Sequence, residues 1–322
     1  MHHGDISPEI AAAIRILRDR MDDQKVKIPP SALDESLNLA TWNIREFGNS
    51  PRSDKAIHLI AEILSQFDLI AITELRDNLA DFKRVLDILG PYWKVVYSDF
   101  RSDGAGNDER IAFLYDKRMV VFTGLAAEAN PPRARPAPGA PYEYMHDDWW
   151  RSPYMASFRA GNFDFIVMAA HMRWGDSVAE RAEALGHLAD WVQARRTHPF
   201  VSDKDIILLG DFNIPSKGSS TYKQLTKHGL KAPASLMKAI GTNLSQRNCY
   251  DQIMIDPTND SRFTGKGGAL DFFKGDHTPL FPELTQEAFT FQLSDHLPLW
   301  IQVDVWIEDE QINSVLLGAG GG

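Results

Sequence analysis

Cysteine is nearly absent from this chain: Cys249 is the only one in 322 residues. No disulfide can form within the chain, and such usage favours a reducing compartment, here the cytoplasm. Long hydrophobic runs are missing too. No stretch reaches the roughly 18 consecutive apolar residues of a spanning helix, so a transmembrane segment is excluded. The first residues also lack the basic, apolar, small-residue order of a secretory signal. Positive charge is scarce: 34 Lys and Arg stand against 44 Asp and Glu, a net charge of −10. That balance disfavours a broad basic face for duplex nucleic acid. It leaves room for an enzyme that touches a few phosphates and lets bound cations offset its own carboxylates.

What remains is ordinary globular usage, 43% hydrophobic and 24% charged, enough to bury a sizeable core. Residues 1–36 read as an N-terminal helical extension and linker, in which Ile10, Ile14, Ile16 and Leu17 form a helical stripe that Pro29 and Pro30 end. From Leu37 strands alternate with helices: strand Leu37–Ile44, helix Asp54–Phe67, strand Asp68–Thr73 and helix Leu79–Leu89. After Trp93, strand-like runs near 93–97, 110–115, 118–123, 153–159 and 163–170 have the short links of antiparallel pairing. A Pro- and Ala-rich loop, Asn130–Pro141, followed by Trp149-Trp150, interrupts them and reads either as the flank of a substrate groove or as a packed surface excursion. Helix Val178–Arg196, strand Asp205–Leu209, helix Ser219–Lys227, strand Tyr250–Ile255 and strand Leu299–Val305 follow. The Gly-rich end, residues 309–322, reads as a flexible tail. Strands in mixed directions with helices outside predict an α/β fold of two stacked sheets.

Polar residues stand where these strands run out: Asn43, Glu74, Glu109, His171, Asp211, Asn213, Asp251, Asp295 and His296. Buried strands favour Val, Ile and Phe, so polar groups at so many strand ends need a reason. Hard oxygen ligands beside two imidazoles point to phosphate chemistry on a divalent ion. Taken singly each signal is weak. Gly210-Asp211-Phe212-Asn213 is also a common turn, and a lone histidine at a core edge is usually structural. Spacing of two places Asp211 and Asn213 on one side if the chain stays extended.

Asn43-Ile44-Arg45, Glu74-Leu75-Arg76-Asp77, His171, Gly210-Asp211-Phe212-Asn213, Tyr250-Asp251 and Ser294-Asp295-His296 occur in the order found in the endonuclease/exonuclease/phosphatase superfamily, and the chain most resembles its deoxyribonuclease I branch. The resemblance implies a four-layer α/β/β/α sandwich, with residues 37–308 as the catalytic domain. It implies Mg²⁺ or Mn²⁺ held by Glu74 and Asn43, with Asp211, Asn213 and Asp295 completing the pocket, and Ca²⁺ as a possible structural or auxiliary ion. It implies that His171, backed by Glu109, and His296, backed by Asp251, flank the scissile phosphate as acid and base, with Asp211 and Asn213 positioning phosphate or water. Arg76 and Arg151 fall where that branch places arginines that reach DNA, and Arg45 is a third candidate. The expected activity is metal-dependent endonucleolytic hydrolysis of DNA, or of RNA, with nucleic acid as the partner.

The match has gaps. The segment Arg247-Asn248-Cys249-Tyr250 is one residue short of the deoxyribonuclease I pattern, and the family's second cysteine falls near Ser216, so its disulfide is missing. Residues 208–215 lack the Trp and Tyr-Arg of inositol-polyphosphate phosphatases of this fold. Two alternatives stay open: a phosphomonoesterase, or phospholipid or small-molecule phosphodiesterase, using the same pocket, and a non-catalytic binding module. The full complement of metal and histidine residues argues against the module.

Overall fold

Strand β1, Ser36–Phe47, is apolar on both faces: Leu37 and Leu39 join one buried cluster, while Ala40, Trp42 and Ile44 join another. Such a strand must lie inside a layered stack. The layers are seen in the computed structural model, which describes residues 1–100, 107–147, 149–175, 177–201, 203–238 and 240–306, with 312, 315 and 316 beyond. In chain order the elements are α1 (Pro8–Asp22), β1, α2 (Asp54–Leu64), β2 (Leu69–Arg76), α3 (Ala80–Leu89), β3 (Trp93–Tyr97), β4 (Glu109–Asp116), β5 (Val121–Glu128), β6 (Arg133–Ala134) and β7 (Glu143–Tyr144). Then follow β8 (Tyr154–Ala160), β9 (Phe163–His171), α4 (Val178–Thr197), β10 (Ile206–Asp211), α5 (Ser220–Leu225), β11 (Asp251–Met254), β12 (Phe263–Ala269), α6 (Gln286–Thr290) and β13 (Leu299–Asp304).

One sheet runs β12-β13-β1-β2-β4-β3 and the other β11-β10-β9-β8-β5, each mixed in direction. Their facing side chains, among them Leu39, Phe113, Phe158, Phe165 and Val303, form one core that extends to Leu185, Leu188 and Val192 of α4. The outer face of the first sheet, Trp42, Ile70 and Trp300, packs on α1 and α2 through Leu17, Ile57 and Ile60. Arg18 of α1 forks onto Glu62 of α2 at 2.6 and 2.8 Å, which ties the N-terminal helix to this layer. The expected sandwich of two stacked mixed sheets flanked by helices is the observed one. Among the described residues no helix is long and apolar enough to cross a membrane.

Pairing direction explains why the polar strand ends meet. β1 and β2 are parallel, as are β9 and β10, so each pair ends on the same edge. β4 and β13, antiparallel to β2 and β1, begin there: Glu109 sits opposite Arg76 and Leu299 opposite Thr41. In the second sheet Asp211 is opposite both His171 and Asp251.

Several sequence expectations need correction. The run at 118–123 is a turn followed by β5 from Val121, because the amides of Met119 and Val120 turn back onto the Asp116 carbonyl. The loop at Asn130–Pro141 carries half of the β6–β7 hairpin. Strand β12 was missed: Gly265, Gly267 and Gly268 dilute its β signal, and it is held by pairing to β13. Helix α6 is a single short turn, below the length at which periodicity is readable. The tail, 309–322, lies outside the described residues apart from 312, 315 and 316.

Gly210 is the backbone position that the two parallel strands depend on. It has φ +131°, and a Cβ there would meet the Ala170 carbonyl oxygen at 2.1 Å. Gly210→Ala should therefore force β9 and β10 apart and cost about 2–4 kcal/mol by denaturant unfolding. A loss within about 0.5 kcal/mol of wild type would contradict the close approach.

Candidate active site

The rim is built around one oxygen. Asp211 Oδ2, buried at the end of β10, accepts from Asn43 Nδ2 at 3.0 Å, and the same amide nitrogen donates to Glu74 Oε1 at 2.8 Å. His171 Nε2 lies 3.8 Å from that Asp211 oxygen and His296 Nε2 lies 3.7 Å from it. His171 Nε2 is also 3.8 Å from Glu74 Oε1. Glu74 reaches the pocket because β2 bulges between Ile72 and Leu75, with Glu74 at φ +61°. A left-handed, non-glycine residue at a bulge costs backbone energy and re-aims its side chain. Its second oxygen, Oε2, accepts from the Glu46 N–H at 2.8 Å.

Each histidine is backed by a carboxylate from the opposite sheet. His171 Nδ1 and Glu109 Oε2 are 2.8 Å apart, and His296 Nδ1 and Asp251 Oδ2 are 2.8 Å apart. With Nδ1 occupied, Nε2 of each ring faces the cleft. Around His296 the backbone is held by Trp42 Nε1, which donates to its carbonyl at 2.9 Å, and by Ser294 Oγ, which accepts its N–H at 2.9 Å. Burial is the largest influence on both rings and lowers their pKa values. For His296 the charges of Asp251 and Asp211 outweigh it and hold the imidazolium well above the ordinary value. For His171 the Arg151 charge lowers further, yet Glu109 and Asp211 still bring the net shift upward. Desolvation raises the Glu74 carboxyl, but the His171 charge, the Asn43 amide and the Glu46 N–H outweigh it, leaving Glu74 below the usual range.

The donor set fits a hard divalent cation. Among the described residues, Asn43 Oδ1 is buried without a hydrogen-bond partner while Glu74 and Asp211 converge on the other end of the same amide. An orphaned buried carbonyl beside two carboxylates is the chemistry of Mg²⁺ or Mn²⁺ coordination. A second grouping, Asp211, Asp251 and His296, has ligand atoms within 4.8 Å of one another.

A cleft of about 460 Å³ brings Glu74, Arg76, Glu109, Arg151, His171, Asp211, Asn213, Asp295 and His296 together. Asn213 is at φ +51°, so the chain has left the strand and the spacing-of-two argument does not carry; its Nδ2 donates to the Met172 carbonyl at 2.7 Å. Arg151 is bonded to Glu109, Nη2 to Oε1 at 2.8 Å. Arg76 lies 3.6 Å from Glu46 and bonds the Asn107 carbonyl. Arg45 points elsewhere: its guanidinium bonds Thr290 and stacks 3.8 Å from the Phe291 ring centroid. Sequence reading did not find Glu46, Arg173, Trp174 or Tyr250, which also line the cleft. Tyr250 and Arg173 flank motif residues; Trp174 carried no signal beyond its position three residues after His171. The pair Trp149-Trp150 divides its labour, with Trp149 buried and donating to the Ala184 carbonyl and Trp150 lining the cleft.

Without metal, His296 has a higher pKa folded than unfolded. It therefore contributes stability that is complete below about pH 6.5 and is lost as the pH rises through the raised folded value. Asp251→Asn removes the main upward influence and leaves only Asp211 and Asp295 to oppose burial, so the His296 ring signals in an NMR titration should shift to a lower midpoint. An unchanged midpoint would contradict the pairing.

The family model for the Endonuclease/Exonuclease/phosphatase family matches residues 40–282. A deoxyribonuclease of Thioalkalivibrio sp. (strain K90mix) is 28% identical over 288 residues, covering 84% of this chain and 72% of that protein. Deoxyribonuclease-1 of Bos taurus is 25% identical over 240 residues, covering 68% and 77% respectively. Among solved structures, a mannosyl-6-phosphatase of Bacteroides thetaiotaomicron VPI-5482 shares the fold with a TM-score of 0.54 at 17% identity, over 83% of this chain and 99% of that one. By sequence and by fold, the chain belongs to the Endonuclease/Exonuclease/phosphatase family.

Proposed function

We propose that this chain is a divalent-metal-dependent endonuclease that hydrolyses phosphodiester bonds in DNA. The observation that carries the reading is the pair of carboxylate-backed imidazoles whose Nε2 atoms face one cleft from opposite sheets. In-line displacement needs a base on the water side and an acid on the leaving-group side, and one such dyad on each side supplies both. His296, oriented by Asp251, takes the proton of the attacking water; His171, oriented by Glu109, protonates the departing oxygen. Glu74 and Asn43, with Asp211, Asn213 and Asp295 around them, would hold Mg²⁺ or Mn²⁺, which supplies charge stabilisation at the phosphoryl oxygens. Arg76 in the cleft lining, with Arg151 beside it on Glu109, would meet the substrate's phosphates.

The deoxyribonucleases among the relatives support a DNA substrate, and the sugar phosphatase on the same fold makes a phosphomonoester the competing outcome. The buried free thiol of Cys249 fits a reducing compartment such as the cytoplasm.

Incubated with Mg²⁺ or Mn²⁺, the protein should cut DNA offered both as supercoiled plasmid and as a single strand, whereas release of inorganic phosphate from phosphorylated small molecules with neither DNA cut would overturn the reading. Glu74→Gln and His296→Asn, chosen to keep side-chain volume and hydrogen bonding, should each lose on the order of 10²–10⁴ in nicking rate. Their thermal transitions should move by only a few degrees, since rim residues carry function more than packing. Unfolding of both variants would make these side chains structural instead.

A further inference from the structure

Trp174 is at odds with its setting. It is 56% exposed at the wall of the catalytic cleft, although an indole returns free energy mainly when it is buried. The ring is nevertheless fixed. Arg181, only 5% exposed, sits with its guanidinium carbon 4.7 Å from the indole centroid and bonds the Trp174 carbonyl. Tyr250 meets the indole edge-on at 5.4 Å, and Tyr250 in turn lies 5.7 Å from the His296 ring. A guanidinium over the indole and a tyrosine ring perpendicular to it give Trp174 a set orientation while more than half of it stays exposed, one ring removed from His296. Beside it Arg173, tethered by Glu180, stacks 4.2 Å from the Trp150 ring, and both line the same cleft.

Aromatic faces interleaved with arginines next to a phosphoryl-transfer site are the chemistry that grips an unpaired nucleotide, with the base on the ring and the phosphates on the cations. A base inside a continuous duplex has both faces covered by its neighbours and gains nothing from such a surface. We propose that Trp174 stacks the nucleobase adjacent to the scissile phosphate, so that the substrate is single-stranded or locally unpaired nucleic acid rather than continuous duplex. This rests on the phosphodiesterase reading above and specifies its substrate. Arg181 acts as a positioning residue, because it touches the indole and not the nucleotide. The platform is fixed before binding, so little conformational entropy is lost when a base arrives.

The test compares kcat/KM of the full chain with Mg²⁺ on three substrates: a single-stranded oligodeoxynucleotide, the same sequence as a blunt duplex, and a single strand whose bases are replaced by abasic sites. Wild type should prefer the single strand over both others. Trp174→Ala should reduce the single-strand to abasic ratio by about 10-fold or more, through KM, and Trp174→Phe should retain most of it. An unchanged ratio in Trp174→Ala, or equal preference for duplex in wild type, would overturn the proposal. If wild type cut none of the three, the nuclease reading would fall, and this inference with it.

Discussion

A buried charge persists only when it is paired, and this protein pairs two buried imidazoles across the sandwich. His171, at the end of a strand in the second sheet, is backed by Glu109 from the first; His296, leading into the first sheet, is backed by Asp251 from the second. Neither dyad can form unless the two sheets are stacked in this alignment. Truncating one partner to a side chain that cannot hydrogen-bond strands the other in a dry site, typically at a cost of about 3–5 kcal/mol. Site and sandwich therefore constrain each other, and the register of Asp211 opposite both His171 and Asp251 is where the constraint is tightest.

The rim carries more acid than its own bases can offset. Glu74, Asp211, Asp251 and Asp295 meet around two histidines, while Arg151 is committed to Glu109. An excess of hard oxygen donors, with a buried amide oxygen left over, is stable when a divalent cation completes it. The acidic composition of the chain and the chemistry of phosphate esters are compatible on those terms. The strained Glu74 backbone belongs to the same design, because a bulge puts a carboxylate where a regular strand would have turned it into the sheet.

Much of this was legible in the linear order of residues because buried strands leave a clear mark: an apolar run that stops at a polar group. Asn43, Glu74, His171, Asp211, Asp251 and His296 were found that way, and the cleft gathers all but Asn43 and Asp251 along its lining, with those two directly behind. Other features had no one-dimensional signature. The glycine-rich β12 is a strand only because β13 supplies its partner. Arg45 looked like a substrate contact from its place in a motif, but the chain turns its guanidinium onto Phe291. Asn213 lines the cleft with Asp211 as the motif implied, but by a left-handed turn rather than by the extended path on which the spacing argument depended. Trp174 gained meaning only once Arg181, from the following helix, was seen beneath it.

The central claim is that two histidines from different sheets flank a single metal-assisted phosphate site. A crystal structure with Mn²⁺ and a non-hydrolysable phosphorothioate dinucleotide tests it most directly. The account predicts manganese density bonded to Glu74 at about 2.0–2.3 Å, with the phosphorothioate between the Nε2 atoms of His171 and His296. Manganese bound away from Glu74, or a phosphorothioate that contacts neither imidazole, would contradict it.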